Sequence, residues 1–63
     1  MTKQQAQALA AQILADHILA CRRESDALQR RAAHAARMGD DRRAIAFAFL
    51  AKQFENRAAF WES

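Results

Sequence analysis

The chain of 63 residues has no proline, no tyrosine, one glycine and one cysteine. Without proline, no residue removes an amide donor from a helix interior. The one glycine, Gly39, marks the one place where the backbone enters the left-handed region without steric cost. A single cysteine, Cys21, excludes an internal disulfide and any multi-thiol metal site, which fits a reducing compartment. No apolar run reaches the ~20 residues that a membrane span needs. The opening segment MTKQQAQALAAQILADHILA lacks the continuous apolar stretch and cleavage site of a secretory signal. These absences predict a soluble, cytoplasmic protein without a membrane partner.

Reactive constellations are equally scarce. There is no glycine-rich phosphate loop, no nucleophile placed with a base and an orienting group, and no carboxylate pair placed in a cleft. We therefore expect no enzyme, no cofactor and no resident metal. His17 and Cys21 form an i, i+4 pair that could share a metal from one helix face, but a complete site would need further ligands from another chain. A packed histidine and a cysteine acting as a small hydrophobe account for the pair more simply. His17 could also serve as a pH-sensitive interface group.

What the chain has in quantity is alanine, leucine, arginine and glutamine, residues that propagate helices at little cost. The only strong punctuation is MGDD, residues 38–41, where Gly39 can end one helix and Asp40 or Asp41 can cap the next. The spacing predicts one all-α domain over residues 1–63: a helix over about 3–38, a tight turn at 38–41 and a helix over about 41–61. Two alternatives are open. Asp26 and Gln29 have capping-box spacing and could break the first helix near Ser25. Ile45, Phe47 and Phe49 alternate as in a strand, although one strand would have nothing to pair with.

On the first helix, Leu14, Ile18, Cys21, Ser25, Leu28, Ala32 and Ala35 alternate steps of four and three, a heptad-like seam. Its small residues towards the turn suit a bulky partner helix, and Phe47, Phe49 and Leu50 are the expected bulk. All five aromatics lie in the second helix, on two stripes: Ile45, Phe49 and Phe60, and Phe47, Leu50, Phe54 and Trp61. One neighbouring helix covers one stripe. Which stripe faces the first helix is open at this level. A polar line of Gln53, Asn56 and Arg57 runs between them and is either exposed or a buried register device.

At ~1.5 Å per residue the first helix spans about 54 Å and the second about 30 Å. Folding back from Gly39 brings Trp61 near Ile18 and leaves residues 3–17 overhanging, with Leu9, Ile13 and Leu14 on them. The apolar surface thus exceeds what one antiparallel hairpin covers, and assembly into a four-helix-bundle dimer is expected.

Charge is uneven. Seven arginines lie between Arg22 and Arg43 against Glu24, Asp26, Asp40 and Asp41, while the charges elsewhere cancel. Arg23, Arg30 and Arg37 repeat every seven residues, a row about 10.5 Å apart. Arg42 and Arg43 join it near the turn. Arg22–Asp26 and Asp26–Arg30 have i, i+4 pairing distance. Glu24 and Arg31 flank the seam as edge charges do in coiled coils.

The reading is a small helical protein–protein interaction module: an adaptor, a small chaperone or an inhibitor. Its partner is itself, as a homodimer, or another protein. Leu9, Ile13, Leu14, Phe47, Phe54 and Trp61 are the candidate interface, since buried aromatic anchors dominate such contacts. The alternative is a dimeric four-helix bundle that binds structured RNA or DNA through Arg23, Arg30, Arg37, Arg42 and Arg43. In architecture alone, the length, the MTKQ start and the hairpin plan resemble the small plasmid copy-number RNA-binding bundles. That likeness implies RNA as a partner. The turn after residue 38 departs from their near-equal helices.

Overall fold

Thr2 begins the first helix. Its hydroxyl accepts the Gln5 amide at 3.2 Å, and the Gln5 side chain accepts the Thr2 amide at 2.9 Å, a capping box. From this start α1 (Lys3–Arg37) runs 35 residues without interruption. Ser25 does not break it, because its side chain turns into the helix interface and finds partners there. The end is equally defined. Gly39 has φ 78°, the Gly39 amide bonds the Ala36 carbonyl at 3.1 Å, and the Asp40 amide bonds the Ala35 carbonyl at 2.9 Å. This is a Schellman stop, which satisfies carbonyls that the helix end would otherwise orphan. Asp40 then caps α2 (Asp41–Glu62) by accepting the Arg43 amide at 3.2 Å. Met38 is therefore the cap of α1 rather than its last helical residue, and no strand forms at Ile45–Phe49.

The computed structural model describes residues 1–63 as an antiparallel pair of helices. Along α1, Leu14, Ile18 and Ala32 are half-buried, and Cys21, Ser25, Leu28 and Ala35 are buried. The facing row on α2 is Ala44, Phe47, Ala51, Phe54 and Ala58, again in steps of three and four. Ala51 and Ala58 are buried outright, and the phenylalanines between them are half-buried. Small and large residues alternate along this row, so the helices approach closely at each alanine while the rings fill the gaps. The stripe that faces α1 is thus Phe47, Phe54 and, at its end, Trp61. Phe49 and Leu50, expected against the small residues of α1, are exposed instead. Only six of 63 residues are fully buried, and Leu28 is the largest aliphatic among them. The Cα trace measures 55 × 16 × 11 Å, a flat two-helix slab with little interior. No helix is long and apolar enough to cross a membrane.

Candidate protein-interaction surfaces

A slab of two helices has two broad faces and two narrow outer edges. At ~100° per residue, side chains one-quarter turn to either side of the seam line the broad faces. The two faces differ in chemistry.

The first broad face is polar and internally paired. Arg22 Nε donates to Glu62 Oε1 at 3.0 Å, and a second guanidinium nitrogen contacts the same oxygen. The hydrogen bond and charge of Glu62 push the Arg22 guanidinium above its ordinary pKa. Ser25 Oγ donates to Glu55 at 3.3 Å, and Gln29 Nε2 donates to both Ser25 and Glu55. Lys52 approaches Glu55 at 3.6 Å. No buried side-chain polar atom lacks a partner. Arg22 therefore pairs across the hairpin with Glu62, and the expected Arg22–Asp26 and Asp26–Arg30 ion pairs do not form. This face fixes the register of the two helices and offers little apolar surface.

The second broad face carries the candidate interface residues. Trp61 packs edge-on against His17 at 6.0 Å and against Phe60 at 5.4 Å between ring centroids. His17 Nε2 in turn lies 3.7 Å from Cys21 Sγ. Ala10, Ile13, Leu14, His17 and Trp61 line an open hollow of about 400 Å³ at the far end from the turn. A second hollow of about 610 Å³ lies by the turn, lined by Ala27, Ala35, Met38 and Phe47 and by the charged side chains of Arg30, Arg31, Asp40 and Arg43. Between them the Arg57 guanidinium sits 5.3 Å over the Phe54 ring, a cation–π contact. Phe47 and Phe54 face α1 and turn only their outer edges to this surface. Leu14 is half-buried, whereas Leu9, Ile13 and Trp61 are largely open.

The outer edge of α2 holds Ile45, Phe49 and Phe60, which are 70%, 63% and 70% exposed. They lie about opposite the seam on the helical wheel. Gln53, Asn56 and Arg57, read as either buried or exposed, are exposed. The outer edge of α1 carries Arg23, Arg30 and Arg37, all exposed and none within ion-pair distance of a carboxylate. Arg42, on α2, is also exposed, and Arg43 is held at 3.4 Å by Asp40. No three His, Cys, Asp or Glu side chains gather as a metal site would require.

No family model, curated protein or solved structure matches this chain. The surfaces have to be read from their chemistry.

The spacing shows both stripes of α2, but of the outward one, Ile45, Phe49 and Phe60, only Phe49 is expected to pack, against α1, and none is expected to meet a partner. The signal was present. Ala44, Ala51 and Ala58 recur every seven residues beside Phe47, Phe54 and Trp61, whereas Lys52, Gln53 and Asn56 interrupt the other stripe. An unbroken small–large repeat marks the packed side.

Proposed function

We propose that this protein is a small helical protein–protein interaction module with two working apolar surfaces. The broad face with Leu9, Ile13, Leu14, Phe47, Phe54 and Trp61 joins two hairpins into a four-helix bundle. The outer edge of α2 docks an amphipathic helix of another protein. The observation that carries this reading is the triad Ile45, Phe49 and Phe60, which is mostly exposed and lies on the side of α2 away from α1. Leaving each such side chain in water forgoes roughly 1.5–3 kcal/mol of burial. Intramolecular packing cannot recover that energy, because α1 occupies the opposite side. The docked helix should be acidic at its flanks. Arg42, Lys52 and Arg57 border the triad against the single carboxylate of Asp41, while Glu55 and Glu62 are engaged with α1 on the polar face.

Trp61 touches Phe60 and therefore reports on this edge. A synthetic amphipathic helix with acidic flanks should shift Trp61 emission, and the same peptide with basic flanks should not. Replacing Ile45, Phe49 and Phe60 together with alanine should weaken binding by at least about tenfold while leaving the far-ultraviolet circular dichroism unchanged. Equal binding of both peptides, or of the acidic peptide by the triple variant, would rule out this edge as the docking site.

A second reading rests on the unpaired row of Arg23, Arg30 and Arg37. Three phosphate contacts would give a salt slope of about −2.7 on duplex nucleic acid. Retardation of structured RNA at low salt is expected under this reading, and its loss in the variant with glutamine at all three positions. An unretarded wild type at low salt eliminates it.

A further inference from the structure

The broad face is self-complementary in one orientation. The contacts Arg22–Glu62, Gln29–Glu55 and His17–Trp61 set the register of the hairpin and place Phe54 level with Ala27 and Leu28. Two sets of residues are symmetric about that level. On α2, Phe47 and Trp61 lie seven residues to either side of Phe54. On α1, Glu24 and Arg31 lie three to four residues to either side of Ala27 and Leu28. Both sets border the same broad face, and Glu24 and Arg31 are exposed without an ion-pair partner.

We propose that two copies of this chain dock through the broad face as an antiparallel pair, with the two-fold axis passing at the level of Phe54 and Ala27. The proposal deepens the bundle reading above and rests on it. An isologous contact puts each residue against its symmetry mate. About this axis the outer edge of Phe54, with Arg57 over its ring, comes level with Phe54 of the other copy, and Phe47 comes level with Trp61. Glu24 of each copy meets Arg31 of the other, so the interface gains two opposite-charge pairs at the edge of an apolar strip. Leu14 and His17 come level with Met38 of the second copy, whose side chain is 72% exposed. That side chain enters the hollow at the far end, while the first copy's end covers the second copy's turn.

The opposite orientation is disfavoured by charge. With both turns at one end, Arg30, Arg31, Arg42 and Arg43 of the two copies would gather with only Asp40 and Asp41 to offset them, Asp40 being already held by Arg43, and Arg31 would have no acidic partner. Like charges placed together across an interface oppose association. The antiparallel pair separates the two basic ends. The two α1 helices overlap over ~20 residues, or ~30 Å. Across the 16 Å width of the slab that is roughly 480 Å² of projected face per copy, and interdigitated side chains bring it towards the ~600 Å² per partner at the lower end of stable interfaces. The polar face offers little to a second copy, since Arg22, Lys52, Glu55 and Glu62 are paired within the hairpin and it exposes little apolar surface.

The test is a charge swap read by sedimentation equilibrium. The wild type should be a dimer. Glu24→Arg alone and Arg31→Glu alone each create like-charge contacts at both symmetric positions, and each should weaken the dimer on the order of tenfold or more. The double variant E24R/R31E restores both pairs and should return to within a few-fold of the wild type. Both positions are exposed, so circular dichroism should be unchanged throughout. A dimer whose single variants associate normally, or whose double variant does not recover, overturns this register alone. In the opposite orientation Glu24 would lie near Arg57 of the second copy, and the double swap would fail to recover. A wild type that stays monomeric at high concentration overturns the bundle as well. Docking at Ile45, Phe49 and Phe60 is judged separately by the peptide experiment.

Discussion

Leu28→Ala is expected to abolish the cooperative fold at low micromolar concentration. Leu28 is 5% exposed and is the largest aliphatic side chain fully enclosed between the helices. Removing it from a packed interior costs about 2–5 kcal/mol through lost transfer energy and the cavity left behind. A chain this small rarely gains more than about 3–5 kcal/mol from a single core, so one substitution reaches the whole margin. Leu14 and Ile18, half-buried on the same seam, should cost less because water already reaches them. Thermal unfolding followed by circular dichroism checks this. The control is Leu28→Met, which keeps volume and should cost less than about 1.5 kcal/mol. A Leu28→Ala variant that melts with the wild type would show that the seam contributes little to folding.

The second large effect is the reverse manipulation. Ala51 and Ala58 are 2% and 0% exposed, and each marks a point where the helices approach closely. Leucine at either position forces the helices apart or the phenylalanines out of their rotamers, at about 1–3 kcal/mol per site. The two positions are one heptad, about 10.5 Å, apart, a separation at which such costs add. The double variant should therefore lose roughly 2–6 kcal/mol in urea unfolding. Ala46 and Ala48, exposed on the same helix, are the matched controls and should change little on the same substitution. If all four substitutions behave alike, the close contacts at Ala51 and Ala58 are not what holds the hairpin.

Much of this architecture was legible in advance. The Gly39 stop, the Asp40 cap and every member of the α1 seam from Leu14 to Ala35 follow from local chemistry. A glycine that needs positive φ, a carboxylate that accepts a free amide and a run of steps of three and four act within a few residues. Other features were not legible. The continuous first helix is the expected one, but the alternative break near Ser25 stays open from the sequence, because a small polar residue reads as a cap until a partner for its hydroxyl is known. That partner, Glu55, lies 30 positions away. Arg22 was assigned to Asp26, one turn along its own helix, yet its partner is Glu62, 40 positions away. Local pairing rules rank neighbours by distance along the chain, whereas an ion pair forms with whichever carboxylate the tertiary approach brings to the guanidinium.

The amino-acid order sufficed for two helices, the place where they turn and the α1 side of the seam, because each of these depends on the backbone preferences of consecutive residues. It left the orientation of α2 about its own axis open. Both of its stripes are apolar enough to be buried, so hydrophobicity alone does not choose between them. The choice came from shape across the interface: α1 offers narrow, mostly small positions, and only the row of Ala44, Ala51 and Ala58 lets a second helix approach that closely. Once Phe47 and Phe54 turn inward, Ile45, Phe49 and Phe60 have to point outward, because a helix keeps its faces rigidly related. The exposed triad and the sidedness of the slab are therefore consequences of helix-to-helix packing, which no stretch of the chain encodes alone.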